Sequence, residues 1–525
     1  MFKQSPLQLN SFWIRKFLFC SILITGIILR LYKWNSYSFW YDEAGWLLIC
    51  QGALLTSLKG TIVLFKPPLF NFLIYFWAYI GQNEFNLRLL SFIFGILSII
   101  LIYKVGKLLF DEKVGLISAF LISFSPFHIY YSQELTQYTL MTFLALCSVY
   151  YLICSLKGNN VYSWVKFIFF TSLSLYSSYV FFFLIIMENL FFFFLYARYG
   201  KFIRRWLLSQ LAILLLYSPW LMMISAQFSF LSFLSVDSQL AVVGWVPEGS
   251  LAHIFQTLRL FNVGYNADFI VQFFACLLFF PLLLAGIIIN INKEKEKIWL
   301  LILWLFIPMI LSILFSKIIH TFTYRNFILA MPAYYILIAS GMVKFKRYIY
   351  APILFFMLLY ACSLLNYYRN VFPYPENFYR PGVHAKIDNR TASKYIISNL
   401  KEGDAVINTC RNTILPYVYY RFVSSYNSIN ELREFSNNLL VNAPIEENKM
   451  LDFLASFLAS REEEVREFTK IHNNKRIWLV FSAWEPQEPS IGESEVKKWL
   501  DNHWEAIDHK KFSGIDVYLY EKPIS

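Results

Sequence analysis

The chain has 525 residues, of which 58% are hydrophobic, 20% aromatic and only 15% charged, with a formal charge of +12. That balance excludes an ordinary water-soluble protein and points to a polytopic membrane protein. Residues before 367 carry 26 basic and 12 acidic groups, and those after it carry 20 and 22. The basic excess therefore belongs to membrane topology and not to a nucleic-acid surface.

Apolar runs predict eleven transmembrane helices, at 17–32, 88–110, 114–131, 138–156, 162–176, 179–197, 205–223, 268–290, 298–315, 326–343 and 349–366, each close to the ~20 residues that cross the hydrocarbon core. Arg15 and Lys16 precede the first run, which lacks a small-residue cleavage site and reads as a retained signal anchor. The apolar stretch 67–81, after Lys66-Pro67-Pro68, reads as a helix lying in the outer interface, because counting it as a crossing would invert every later loop.

Alternate loops collect 18 of the 26 early cations, among them Lys104, Lys107, Lys157, Arg198, Lys201 and Lys297. Cations near span ends stay on the cytoplasmic side. The expectation is a multi-pass protein of the plasma (inner) membrane, with a cytoplasmic N-terminus and an extracytoplasmic C-terminal domain. The seven cysteines show no paired spacing, so neither a disulfide framework nor a zinc ribbon is supported.

Residues 367–525 change character, with more charge and shorter apolar runs. Strand-like runs at Asp404–Thr409, Arg476–Ser482 and Asp516–Tyr520 alternate with helical patterns at Thr391–Leu400, Glu463–Ile471 and Glu493–Trp504, which predicts a soluble α/β domain. It carries no Gly-rich phosphate loop and no nucleophile elbow, and reads as a cap or acceptor-recognition module.

Acidic residues mark the expected outer loops of the first half: Asp42 and Glu43 beside Trp40, Tyr41 and Trp46, then Glu84, then Glu134 in the tight Ser132-Gln133-Glu134 loop. A carboxylate at the membrane surface can take a proton from an incoming hydroxyl, and Asp42 is the preferred general base. Glu84 reads as ordinary surface solvation. Lys66, Arg88 and Arg325 fall on the same expected side, where a cation would neutralise a leaving phosphate; for Arg88 the alternative is an interfacial anchor. His128, in Ser125-Pro126-Phe127-His128, is either an interfacial hydrogen-bonding histidine or a metal ligand. Glu188, inside a predicted span, is either a helix-packing contact or a cavity-lining group.

These elements have a familiar order. Phe39-Trp40-Tyr41-Asp42-Glu43-Ala44, Lys66-Pro67-Pro68-Leu69, Leu87-Arg88-Leu89, Gly106-Lys107-Leu108-Leu109-Phe110, Ser125-Pro126-Phe127-His128 and Tyr131-Ser132-Gln133-Glu134 resemble the membrane glycosyltransferases of the GT-C superfamily. The resemblance is to the branch of protein O-mannosyltransferases, aminoarabinose transferases and Rgt-like enzymes, and Trp245-Val246-Pro247 and the Arg325 element extend it. It implies inverting sugar transfer from a polyprenyl-phosphate-linked donor to an acceptor hydroxyl on a cell-envelope glycan, glycolipid or protein. By that resemblance Asp42 is the base, Glu43 and Glu134 shape the site or hold a divalent cation such as Mg, Mn or Zn, with His128 a further ligand, and Lys66 and Arg325 contact the donor phosphate.

Two departures stand out: Leu135-Thr136 follows Glu134 where relatives carry Ala-Arg, and Tyr176-Ser177-Ser178-Tyr179 replaces a histidine-containing element. Two other readings compete. A flippase of lipid-linked saccharides would show repeated halves and polar or Gly/Pro-broken helices near the midplane, whereas here the acids crowd into the outer loops of one half and no repeat is visible. A non-catalytic envelope scaffold would not need Asp42.

Overall fold

The computed structural model describes residues 6–50, 54, 57–58, 61, 66–158, 160–227, 249–317, 322–373, 385–422, 456–472, 474–482 and 494–523. The chain forms two compact units. The first comprises Met1–Tyr32, Leu64–Phe70 and Leu89–Tyr374, and the second Lys33–Val63, Asn71–Arg88 and Pro375–Ser525. The second unit thus takes in the first loop and residues 71–88 together with the C-terminal residues.

Helices run in chain order as α1 (Pro6–Leu31), α2 (Tyr41–Ile49), α3 (Leu69–Trp77), α4 (Glu84–Leu109), α5 (Glu112–Phe124), α6 (Pro126–Ser132), α7 (Tyr138–Gly158), α8 (Val161–Ser177), α9 (Phe181–Phe194), α10 (Ile203–Gln227), α11 (Leu251–Val263), α12 (Phe269–Ile291), α13 (Lys295–Ser316), α14 (Met331–Met342) and α15 (Tyr350–Tyr368). Every expected span meets helix, with 326–343 built from a 3-10 turn, Tyr324–Ala330, running into α14. Among the described residues seven helices are long and apolar enough to cross a membrane alone, or eight if the bent pair α5–α6 is one span. The others are shorter or less apolar: α9 has 14 residues, about 21 Å of helix against a core of about 30 Å. At nine residues, α3 is far too short to cross.

The bend in the first unit has a readable cause. Between α5 and α6 the axis turns by 61° at Ser125-Pro126. Pro126 has no N–H to give Ile122, and the break also withdraws the Phe127 N–H from Ser123. Arg30 of α1 replaces both donors, reaching the Ile122 carbonyl at 3.0 Å and the Ser123 carbonyl at 2.9 Å. Its remaining N–H groups go to Gly26 O, Ser132 Oγ and His128 Nδ1, and the side chain is fully buried. Elsewhere close helix approach depends on glycine: a Cβ on Gly286 of α12 would collide with the Leu337 carbonyl of α14, as one on Gly341 would with the Leu282 carbonyl. Glu188 resolves as a packing contact, since it is buried and accepts from Ser148 Oγ, which also bonds Thr171 on α8 at 2.7 Å.

In the second unit a five-stranded sheet has the order β2-β1-β3-β5-β4, built from β1 (Ala405–Asn408), β2 (Ser456–Leu458), β3 (Arg476–Phe481), β4 (Glu505–Phe512) and β5 (Ile515–Glu521). β1 pairs in parallel with β2 and β3, and β5 is antiparallel to β3 and β4. Alternating side chains feed two cores, one holding Ile407, Leu479, Val496 and Leu500 and the other Val406, Trp478, Val480 and Val517. Helices α16 (Asn389–Asn399), α17 (Arg411–Phe422), α18 (Glu462–His472) and α19 (Glu495–His503) complete the unit. The three predicted strands and three predicted helices are present; α17, β2 and β4 are additional.

Candidate functional site

In the second unit the expected acid pair starts α2, where the helix N-terminus favours negative charge. Glu43 is wholly buried and points inward. Its Oε1 and Oε2 accept from Arg88 Nε at 2.7 Å and a terminal N–H at 2.8 Å, and Oε2 also accepts the Trp40 N–H at 3.3 Å. The other Arg88 donors go to the carbonyls of Trp34, Tyr37 and Ser38, and the guanidinium lies 5.0 Å from the Phe39 ring. Arg88 is 1% exposed. Arg88, expected to bind phosphate, and Glu43, expected to face the site, thus form a bidentate, desolvated pair with each other. What it fixes is the start of α2, and so the position of the half-buried Asp42 one residue before Glu43.

Glu84 also departs from expectation. It is 7% exposed instead of solvated, accepts from Arg390 Nε at 3.2 Å, and bonds the Tyr420 hydroxyl. Tyr420 in turn accepts the Phe39 N–H at 2.9 Å. Burial, reinforced by the Glu84 charge, holds the Tyr420 phenol well above its ordinary range, so it remains a hydrogen-bond donor. Asn389, formally a glycosylation acceptor, is 2% exposed and donates to the Phe39 carbonyl.

In the first unit Glu134 lies fully buried in the turn between α6 and α7. It takes a hydrogen bond from Tyr130, and a tyrosine cluster continues from there. The hydroxyls of Tyr131 and Tyr265 are 2.7 Å apart, and the rings of Tyr131 and Tyr138 are 4.7 Å apart. Arg325 is half-buried at the start of the 3-10 turn before α14, with its guanidinium 5.6 Å from the Tyr138 ring and in electrostatic reach of Tyr131 and Tyr265. Acid, cation and hydroxyls therefore meet in one place. Gln133 pins the same turn by donating to the Arg30 and Tyr32 carbonyls and accepting from Tyr367 at 2.7 Å. Lys66 is partly buried, directly ahead of Pro67-Pro68 and the start of α3.

Of the residues expected to hold a divalent cation, Glu43 and His128 are each engaged by an arginine of their own unit. Both Glu43 oxygens carry Arg88 hydrogen bonds, and His128 Nδ1 faces an Arg30 N–H at 2.9 Å and so acts as an acceptor. Among the described residues no three of His, Cys, Asp or Glu form a metal-binding group. Sequence reasoning missed Arg30, Arg390, Tyr420 and the tyrosines 130, 138 and 265, and gave Tyr131 no role of its own. The only signal for the last group was the Tyr130-Tyr131 doublet ahead of Ser-Gln-Glu. Trp245-Val246-Pro247 lies outside the described residues.

Residues 65–223 match the family described as dolichyl-phosphate-mannose-protein mannosyltransferase. That segment holds Lys66, Arg88, His128 and Glu134, with Asp42 and Arg325 outside it. No curated protein matches the chain by sequence. Among solved structures the chain is similar to ArnT from Cupriavidus metallidurans, both apo and bound to undecaprenyl phosphate, with a TM-score of 0.61 and 11% identity over 97% of this chain and 98% of that one. It is also similar to the archaeal oligosaccharyltransferase AglB from Archaeoglobus fulgidus, in complex with an inhibitory peptide and a dolichol-phosphate, with a TM-score of 0.50 and 13% identity over 89% of this chain and 70% of that one. The protein is thus membrane-embedded and has the fold of the GT-C superfamily.

Proposed function

We propose that the protein is an inverting glycosyltransferase that moves a sugar from a polyprenyl-phosphate donor to an acceptor hydroxyl of an envelope glycan, glycolipid or protein at the outer face of the plasma membrane. The observation that carries this reading is a fold shared along nearly the whole chain with a protein whose structure holds undecaprenyl phosphate. The N-terminus is cytoplasmic in this reading, and the C-terminal domain is extracytoplasmic.

Chemically, the step is a single displacement. The Asp42 carboxylate takes the acceptor proton as the acceptor oxygen bonds to the sugar C1; the C1–O bond to phosphate breaks on the opposite face, and polyprenyl phosphate leaves with the electron pair. Arg325, set among the Tyr131, Tyr138 and Tyr265 side chains, supplies positive charge and neighbouring hydroxyls to the departing phosphate. Lys66 adds a second cation, held by the stiff Pro67-Pro68 segment. Glu134 orients the tyrosine cluster through Tyr130, and the Glu43–Arg88 pair holds α2 so that Asp42 keeps its place.

The test is transfer by the purified full-length protein in liposomes, offered a panel of polyprenyl-phosphate sugars with an envelope extract as acceptor. Product with inverted anomeric configuration and release of polyprenyl phosphate are expected. Translocation of the intact donor without cleavage would instead favour the flippase reading.

A further inference from the structure

The membrane unit contains a cavity of about 290 Å³ that the proposed sugar transfer does not use. It sits where α4, α7 and α9 end and α13 begins, within the loops whose cations define the expected cytoplasmic side. Four cations line it: Lys157, Arg198, Lys201 and Lys297. The single carboxylate in the lining is Glu296, paired with Arg198 and accepting from the Tyr199 hydroxyl at 3.0 Å. Lys297 also pairs with Glu294 at 2.7 Å. Lys157 donates to the Leu108 carbonyl at 2.9 Å and stands within electrostatic reach of Lys297. Among the described residues the carboxylates thus pair Arg198 and Lys297, while Lys157 and Lys201 add two cations without an ion pair to the same hollow, an excess of positive charge that an anion would relieve.

The floor has the opposite character. Leu109, Ile153, Leu156, Phe191 and Leu300 form it, all apolar and all on membrane helices. A cationic rim above an apolar floor suits a ligand with a phosphate head and a hydrocarbon body, whereas a freely soluble phosphate would leave that floor without a partner. We propose that this cavity binds the phosphate headgroup of an anionic phospholipid of the adjoining leaflet, with the start of an acyl chain against the floor. Here the headgroup ties together the neighbouring ends of α4, α7, α9 and α13. The proposal is independent of the sugar-transfer reading, because it concerns binding and needs no activity.

The experiment is thermal unfolding of the full-length protein in neutral detergent, titrated with dioctanoyl phosphatidylglycerol, dioctanoyl phosphatidylcholine, inorganic phosphate or ADP. Phosphatidylglycerol is expected to raise the midpoint saturably and phosphatidylcholine to leave it unchanged. In Lys157→Gln and in Lys297→Gln, phosphatidylglycerol affinity should fall about fivefold each, the equivalent of roughly 1 kcal/mol per cation at a membrane surface. Lys297→Arg should retain binding, which separates lost charge from a folding defect. Lys113→Gln, an exposed residue outside the cavity lining, should match wild type. Unchanged affinity in both glutamine variants, or an equal response to phosphatidylcholine, would overturn the proposal. A response to inorganic phosphate or ADP with none to phosphatidylglycerol would assign the cavity to a soluble phosphate and overturn the lipid reading.

Discussion

Two arginines, one in each unit, are almost fully removed from solvent, and they are handled differently. Arg88 of the second unit directs two of its N–H groups to the Glu43 carboxylate and the rest to three carbonyls, so its charge is neutralised. Arg30 of the first unit bonds only neutral acceptors among the described residues: three carbonyls, the Ser132 hydroxyl and the His128 ring. The first arginine is half of an ion pair that fixes a loop. The second mends a helix broken by Pro126, where unsatisfied C-terminal carbonyls supply the negative field that a carboxylate supplies to Arg88. A buried charge is tolerated in either case because every donor has an acceptor. The consequence of removal differs, because only at Arg88 is an opposite charge left behind.

The contrast breaks most visibly at Arg88. Arg88→Met strands the Glu43 carboxylate in a dry site, and a loss of about 3–5 kcal/mol is expected, read as a collapse in the yield of folded protein or a large drop in thermal midpoint. Adding Glu43→Leu to Arg88→Met should recover most of that loss, since the stranded charge is then gone. For Arg30→Met the expected loss is smaller, about 2–4 kcal/mol, from two carbonyls left without donors. No acidic partner exists among its hydrogen-bond acceptors, so no second-site removal of a carboxylate should rescue it. Rescue of Arg30→Met by deleting a nearby acid would erase the distinction.

Arg325 and Lys66 sharpen the comparison from the other side, as cations proposed to meet a ligand instead of the fold. Arg325→Gln and Lys66→Gln are each expected to weaken polyprenyl-phosphate binding about tenfold, the equivalent of one charge-assisted hydrogen bond. Thermal midpoints should stay near wild type. Isothermal titration with a short-chain polyprenyl phosphate reads the first effect, and differential scanning reads the second.

The smallest effect concerns pH and the soluble domain. Burial works to raise the Asp404 carboxyl, but hydrogen bonds from Arg476, the Lys401 N–H and the Trp478 indole overcome it and hold the group below the ordinary carboxylate range. A depressed folded-state value means that this contribution is fully present above the unfolded-chain value of about 4 and is lost as pH falls through the lower folded value. Asp404→Asn should therefore lower the domain's stability at pH 7 while flattening its loss on acidification below about pH 4, as measured by denaturant unfolding at a series of pH values.

Most of the architecture was legible because hydropathy states the membrane problem directly: an apolar run of span length has few other uses, and each expected span meets helix. The break at Pro126 was legible in principle, since the residue before a proline avoids helix, yet an unbroken apolar run from 114 to 131 outweighed that local sign. β4, with the sequence Glu-Ala-Ile-Asp-His-Lys-Lys-Phe, is exposed along nearly its whole length; an edge strand guarded by charge shows no apolar alternation to read. α17 was hidden by Pro416 inside it. At the site, Asp42, Glu43, Glu134 and Arg325 drew attention as charged groups near spans, but their roles depend on partners distant in sequence. Glu43 meets Arg88, Glu84 meets Arg390, and Tyr265 meets Tyr131. No local pattern encodes such pairings. Arg30 was passed over for the same reason, because a lone arginine at a span end ordinarily reads as an anchor.

In the proposed reaction Asp42 accepts the acceptor proton during transfer from a polyprenyl-phosphate sugar. The most direct measurement compares single-turnover transfer by wild type and Asp42→Asn, with polyprenyl-phosphate affinity and thermal midpoint determined on the same preparations. The expected result is a loss of at least about a hundredfold in rate, the usual scale for a missing general base, with donor affinity and midpoint unchanged. Equal rates in the two proteins would contradict it.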